Sequence, residues 1–506
     1  MGIARALVAI GIGKGTRVGI LMTNRPEFIA SVFGISLAGG VAVPLNTFST
    51  GSELDYQLKA SGIDTLLFEG KVAKKDFRAM LEELEPAIGA GEFGKLVSQR
   101  FPFLRHLVSL ESEDMEQTSG VARWSDFLQK GNAVPDTLIK ERASTLAPSD
   151  MAVLFFSSGS TGLPKGILHN QRAVVLQWWG WPVAMGFSGE LRVWTANGFF
   201  WSGNFAMVIG SALSSGGAIV LQSGFDAAQA LELIETERVN TPFAMPHQWG
   251  RIADEPNFER TDFSGLRFLD PKFLGLNHPT MHTGYRQPQA FGCTETLTIN
   301  TTTFFGENGV TRYEGHGLPL PGNTLKILDP MTGEIVPRGR RGEIAVKGPT
   351  LMMGYLGKTS EDCFDDEGFY RSGDGGYLDE SGWLFWEGRL TDIIKTGGAN
   401  VSPTEVDDVI TTYPGVKATQ TVGLPHDTLG EMVVSCIVPY EGVAFDAAGL
   451  QRFLKERLAS YKLPRRILVL KEDELSLTGS GNKIKAADVR MLAAARLAAE
   501  NAGRTA

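Results

Sequence analysis

RVGILMTNRPEF (17–28), followed by VAVPL (41–45), is the stretch whose reading decides the fold. RVGILMT (17–23) is a short apolar run and predicts a buried strand. Arg25 to Ala38 then places Phe28, Ile29, Val32, Phe33 and Leu37 at helical spacing, and VAVPL is again strand-like. Ser52 with Asp55 three residues on resembles a capping box opening a second helix, and DTLLF (64–68) predicts the next strand. Repeated βα units predict an α/β fold with a largely parallel sheet covered by helices. Residues 110–150 are polar and contain proline, which predicts a surface excursion.

Further along, the texture changes. Short strands such as LKILD (325–329) and GEIAVKG (342–348) alternate with Gly, Pro and Asp turns, so 317–388 predicts a β-rich subdomain. After GRLTD (388–392) a smaller α+β unit begins. Ser402-Pro403-Thr404-Glu405 combines a capping Ser, Pro at the first helical position and Glu at the third, so a helix starts there. The expected division is a large N-terminal domain, 1–389, and a small, mobile C-terminal domain, 390–506. No internal repeat or low-complexity tract is present.

A chain of 506 residues is too long for one core, which agrees with that division. The net charge of −9 argues against a nucleic-acid or anionic-membrane partner, since phosphate neutralisation needs a basic surface. Cys293, Cys363 and Cys436 lie far apart with no metal-ligand spacing, which fits a reduced compartment. No apolar run approaches the roughly 18 residues that suggest a spanning helix. MGIARALVAI (1–10) has neither a cleavage site nor the myristoylation pattern, so a cytoplasmic protein is expected.

Several segments carry chemistry. SSGSTGLPKG (157–166) follows the apolar run MAVLFF and offers hydroxyls, unhindered glycine N–H groups and Lys165 to a phosphate chain. Its glycine spacing and the Gly after Lys165 rule out a Walker A loop, and GIGKGT (11–16) fails that pattern too. In FGCTET (291–296), Phe291 could stack on a base, Thr294 could bond a phosphate oxygen, and Glu295 could hold Mg²⁺. YRSGD (370–374) ends in a carboxylate suited to a ribose diol. GRLTDIIKTGGANVSPTE (388–405) supplies Arg389 and a Gly-Gly loop, and LTGSGNKIK (477–485) carries Lys483. Each alone could be a solvated turn; their order and spacing together are hard to explain as accidents.

In that order they resemble the adenylate-forming superfamily of acyl-CoA synthetases, luciferases and peptide-synthetase adenylation domains. The likeness runs from RVGILMTNRPEF to Lys483 and includes GLPLPGNTLKILDPMTGE (317–334) and GEIAVKGPTLMMGYL (342–356). It is most like an AMP-forming CoA ligase for fatty or other hydrophobic acids. The resemblance implies that Ser157, Ser158, Gly159, Ser160, Thr161, Gly162 and Lys165 close over the ATP phosphates. It places Phe291 and Gly292 at the adenine, Thr294 at the α-phosphate, Glu295 on Mg²⁺, and Asp374 with Arg389 on the ribose. Lys483 would bridge substrate carboxylate and α-phosphate while the carboxylate attacks phosphorus in line. Rotation about a hinge at Thr391 would then withdraw Lys483 and bring Gly397 and Gly398 to the pantetheine arm of coenzyme A. Phe200, Trp201 and Phe205 fall where the family builds its acyl pocket, and they favour an apolar chain or aryl group.

Four departures from the family pattern stand out. Family members begin with several dozen more residues, so a shortened N-terminus is expected. Thr391 replaces the usual Asp or Lys. The last loop holds one residue more than usual between Thr478 and the lysine, which leaves Lys485 as an alternative to Lys483. Trp201 replaces a His that gates the thioester channel, and LDPKFLGLN (269–277) lacks the usual Gly-Gly-Ala-Pro. His278 and His282 have the spacing of a metal pair, but Pro279 opposes a regular helix there. The Trp-rich stretch WWGWPVAMGF (178–187) reads mainly as core. Rival readings are transfer to a carrier protein or amine, and a non-catalytic binding protein. A homodimer is left open.

Overall fold

The computed structural model describes all residues except 111–119, 158–163, 304–311, 313, 391, 393, 397–398, 427, 444, 459–461, 475–485 and 506. It divides into two compact units, Met1–Thr324 with Val346–Tyr370, and Leu325–Ala345 with Arg371–Ala506. The expected junction at 389/390 falls within the second.

The first unit is built on one large sheet. Its strands are β1 (Arg17–Leu21), β2 (Val41–Pro44), β3 (Thr65–Phe68), β4 (His106–Ser109), β5 (Val121–Arg123), β6 (Met151–Ser157) and β7 (Lys165–Asn170). They lie in the order β7-β6-β2-β1-β3-β4-β5, with the two-residue strand Gly354–Tyr355 outside β7. From β6 to β5 neighbours are parallel, while β7 and Gly354–Tyr355 run antiparallel. Helices cover both faces, so the strands are apolar on both sides. Val18 and Ile20 pack with Leu7, Phe28 and Ile35, whereas Leu21 and Leu66 pack with Leu54 and Leu58 of the helix Gly51–Ser61.

Three local expectations are corrected. The capping box lies two residues earlier, with Thr50 as cap and Glu53 at the third position, while Asp55 instead pairs with Lys59 and Arg100. Both readings satisfy the same spacing, and the ion pairs available to Asp55 decide between them. Residues 121–144 are not an excursion: β5 extends the sheet, and helices Trp124–Lys130 and Asp136–Ser144 follow, with Phe127 and Ile139 buried. On the helix Pro26–Ala38, Phe33 lies off the buried face of Phe28, Val32 and Ile35, because this helix is apolar nearly all round and its face is not legible from spacing.

A second, parallel sheet holds β8 (Arg192–Thr195), β9 (Ala218–Leu221) and β10 (Thr241–Phe243), ordered β9-β8-β10. Trp194, Trp249, Leu231 and Ile234 form its core. A third is antiparallel, with β11 (Ala290–Cys293) and β12 (Thr298–Thr302).

Mostly in the second unit, β13 (Thr324–Leu328), β14 (Gly342–Lys347), β15 (Tyr370–Leu378) and β16 (Leu384–Arg389) form one sheet, the expected β-rich subdomain. The other sheet orders β18 (Ala399–Val401), β17 (Ile394–Thr396), β20 (Gly430–Pro439) and β19 (Val416–His426), with β21 (Arg466–Val469) parallel to β20. Between them the helix Pro403–Thr411 starts as expected, with the Ser402 hydroxyl capping Glu405 N–H and Pro403 in the first turn. Among the described residues no helix is long and apolar enough to cross a membrane.

Candidate active site

The hairpin β6–β7 presents the first element. Ser157 and Lys165 face each other at its loop end, and Ser158 to Gly162, expected at the phosphates, lie outside the described residues. Lys165 Nζ stands 5.2 Å over the ring centre of Tyr355, a cation–π contact that aims the ammonium.

The turn joining β11 to β12 is the second. Here Thr294, Glu295 and Thr296 form a single 3-10 turn, and Leu297 (φ 52°) and Thr298 (φ 91°) follow in the left-handed region. A β-branched residue there is an outlier costing of order 1–3 kcal/mol, and such strain persists only where the surroundings over-determine it. Gly292 is what lets β11 approach: a Cβ on it would sit 1.5 Å from the Thr298 carbonyl oxygen. Phe291 is buried at the start of this turn.

Four side chains that the sequence reading did not single out hold this turn. His169 on β7 bonds through Nε2 to the Thr294 carbonyl at 2.8 Å. A carbonyl only accepts, so Nε2 carries the proton. Complete burial pushes the His169 pKa down to about 4, keeping the ring neutral. Gln177 Nε2 donates to Thr296 O (3.0 Å) and Ile299 O (2.7 Å). Tyr355 OH donates to Glu295 Oε1 at 2.8 Å, so Tyr370 OH, 2.9 Å away, donates to the Tyr355 oxygen. Burial raises both phenol pKa values, so both hydroxyls stay protonated donors. The one available signal for His169 was a polar side chain at an inward position of the apolar run GILHN.

Glu295 is a hard oxygen donor, half-buried and with one oxygen engaged by Tyr355. Among the described residues no three His, Cys, Asp or Glu side chains converge. A single carboxylate fits Mg²⁺ only in company with water and substrate phosphates, which is the usual coordination of that ion.

Beside Thr294, its Oγ1 lies 3.4 Å from Ser202 Oγ, which brings the segment carrying Phe200 and Trp201 to the turn. Phe200 is buried between Phe48 and Trp201, with ring centres 5.9 and 5.2 Å away. Phe205 sits deeper, in the main core against Phe155 and Trp178. Trp178 and Trp181 pack inward as expected, but Trp179 is exposed. His278 is structural: Nε2 donates to Phe258 O, Nδ1 accepts from Thr280 N–H, and its ring packs between Phe258 and Phe263.

Within the second unit, Asp374 on β15 and Arg389 on β16 are directly opposite, with Arg389 Nε 3.2 Å from Asp374 Oδ1. Arg389 Nη1 also donates to Ser372 O, and Asp374 N–H to Ser372 Oγ. Neighbouring Glu343 is bound twice by Arg371 and accepts from Gly373 N–H, which fixes the tight turn at Gly373 (φ 71°). A buried carboxylate held this way suits a vicinal diol. Lys483, Lys485, Thr391, Gly397 and Gly398 lie outside the described residues.

Known proteins are similar to this chain in sequence and fold. Residues 2–356 match the model of the AMP-binding enzymes, and 405–482 that of the AMP-binding enzyme C-terminal domain. A feruloyl-CoA synthase from Amycolatopsis sp. is 30% identical over 96% of this chain and 90% of its own. An indoleacetate–CoA ligase from Aromatoleum aromaticum is 29% identical over 97% and 91%. Of solved structures, the amide bond synthetase McbA from Marinactinospora thermotolerans superposes with a TM-score of 0.74 at 25% identity, covering 97% of this chain and 92% of that one. ATP-bound MatB from Rhodopseudomonas palustris gives 0.76 at 23% identity, with the same coverage. With two family models spanning most of its length, the chain belongs to the AMP-binding, adenylate-forming enzymes, the family of the acyl-CoA synthetases.

Proposed function

We propose that the protein converts an apolar, aryl-bearing or long-chain carboxylic acid to its acyl-adenylate and transfers the acyl group to coenzyme A. The observation that carries the reading is the strained Thr294–Glu295 turn, with its carboxylate held by Tyr355 and Lys165 stacked on that same ring. Such an array presents a hydroxyl, a carboxylate and a cation in fixed positions before any ligand arrives, which is what electrostatic catalysis requires.

The carboxylate oxygen attacks the α-phosphorus and pyrophosphate leaves. The thiol sulfur then attacks the acyl carbon, its proton is lost, and the C–O bond to AMP breaks. Lys165 is assigned to the β- and γ-phosphates, Thr294 to the α-phosphate and Asp374 with Arg389 to the ribose. Glu295 would hold Mg²⁺, which supplies charge neutralisation on the pyrophosphate when bound. Lys483 is assigned to the developing charge at the α-phosphate, and Thr391 to the hinge between domains 1–389 and 390–506, with Gly397 and Gly398 meeting coenzyme A. A cytosolic enzyme fits the three cysteines, none of which is in a disulfide.

For the acid, Phe200 and Trp201 directly precede Ser202, whose hydroxyl lies beside Thr294 Oγ1. Phe187, Phe243, Phe268 and Tyr285 form a second aromatic group in the same unit. Relatives named for ferulate and indoleacetate support an aryl acid. The second reading is an amine acceptor, favoured by Trp201 in place of the channel His and by the likeness to McbA. Incubation with ATP, a panel of graded aryl and alkyl acids, and either coenzyme A or amines decides. Acyl-CoA with AMP from an apolar acid supports the reading. Amide product without thioester would replace it.

A further inference from the structure

We propose that His169 and Gln177 are positioning residues for the reaction: they clamp the backbone of the 294–299 turn and thereby set where Thr294 and Glu295 present their side chains. The inference rests on the reading that Thr294 and Glu295 face the nucleotide.

Three carbonyls between Thr294 and Ile299 accept hydrogen bonds from the His169 and Gln177 side chains. His169 takes the one of Thr294, and Gln177 takes those of Thr296 and Ile299. The two hydrogens of the Gln177 amide therefore bridge the left-handed pair Leu297 and Thr298 from both sides. Strained backbone of this kind relaxes unless something fixes it; the Thr296 hydroxyl and Met352 N–H also bond this turn, and His169 and Gln177 add its anchors to the β7 strand and the helix behind it. Gln177 is buried and His169 is 0% exposed, so neither reaches a substrate.

His169 carries a second mark of purpose. Its Nδ1 is buried with no hydrogen-bond partner among the described residues. An unpartnered buried nitrogen disfavours folding, and an aliphatic side chain against Phe155 would avoid it. What the imidazole offers that an aliphatic group cannot is the Nε2–H aimed at Thr294.

The test measures acid-dependent pyrophosphate exchange and melting temperature for His169→Leu, His169→Gln and Gln177→Leu. Gln places an N–H donor close to where Nε2 stands. The expected result is a fall in kcat of at least about tenfold for both Leu variants, with little change in KM for the acid. His169→Gln should recover most of that loss while melting no higher than His169→Leu. Equal losses in His169→Leu and His169→Gln, or wild-type rates in both Leu variants, would overturn the proposal. If His169→Leu does not fold, Gln177→Leu decides on its own rate; if neither folds, the pair serves stability alone and the proposal is also overturned. Thr294→Ala and Glu295→Gln are measured alongside. Full activity in those two would remove the underlying reading, whereas their impairment beside active anchor variants would remove only the clamp.

Discussion

Tyr355 and Glu295 lie on separate segments of the first unit, yet the phenol donates to the carboxylate across 2.8 Å, and Tyr370 donates to Tyr355 behind it. Both phenols are uncharged, so they orient Glu295 without supplying a counter-charge, which its proposed role on Mg²⁺ requires. Tyr355→Phe removes one oxygen and leaves the ring under Lys165. The expected outcome is about a tenfold rise in the Mg²⁺ concentration giving half-maximal exchange, with a modest fall in melting temperature because the buried Tyr370 hydroxyl loses its acceptor. Titration of Mg²⁺, together with Mn²⁺ binding followed by paramagnetic resonance, checks it. Unaltered metal dependence would remove Tyr355 from the site.

Gly292 and Gly250 make a contrasting pair. A Cβ at Gly292 would meet the Thr298 carbonyl, which is backbone and cannot swing away, whereas Gly250 lies exposed in the helix Pro246–Ala253 with open space around it. Gly292→Ala should destabilise by about 3 kcal/mol or more and abolish exchange. Gly250→Ala should stabilise by about 0.5–1 kcal/mol with exchange intact. Thermal melts of both variants test this.

The acid response of stability follows from His169. Its pKa falls from 6.5 to about 4 on folding, so between those values the unfolded chain binds the extra proton. Stability is therefore present above about pH 6.5 and lost as pH falls towards 4, by about 2 kcal/mol between pH 7 and 5. Asp407 acts in the opposite sense. Burial raises its pKa to about 6, so its contribution is present below the ordinary carboxylate range and lost as pH rises towards 6. Comparing wild type with His169→Gln cancels Asp407. The difference in stability between them should shift towards the variant on acidification, and a pH-independent difference would contradict the assignment.

On the role proposed for it, Lys483 distinguishes activation from transfer. Lys483→Ala should depress adenylate formation by at least about a hundredfold, the scale for losing one preorganised electrostatic contact. Thioester formation from supplied acyl-adenylate and coenzyme A should stay near wild type. Both half-reactions are measured on one preparation, with Lys485→Ala as the control for register. Normal adenylation in the first variant, or loss in the second, would reassign the lysine.

The βα repeat was legible because each strand and helix is apolar at its own period, and Ser402-Pro403-Thr404-Glu405 was legible because capping is local. The box at Thr50–Glu53 was missed because Ser52 and Asp55 satisfy the same spacing, and only ion pairs to Lys59 and Arg100 distinguish them. Asp374 and Arg389 were found as separate motif members, but their pairing is a matter of strand register. His169, Gln177, Tyr355 and Tyr370 escaped because they act on atoms distant in sequence: His169 on the carbonyl of Thr294, Tyr355 on Glu295. Spacing reveals residues that meet a ligand in one loop, and is silent about side chains that meet the loop from behind.

On the proposed route, acid joins AMP through a P–O–C anhydride. That route is tested most directly with an acid labelled by ¹⁸O in both carboxyl oxygens, incubated with ATP, Mg²⁺ and coenzyme A. Attack of the carboxylate on the α-phosphorus followed by thiolysis leaves one labelled oxygen in AMP, and mass spectrometry of the AMP should find it. Unlabelled AMP, or ADP with label in inorganic phosphate, would contradict the account.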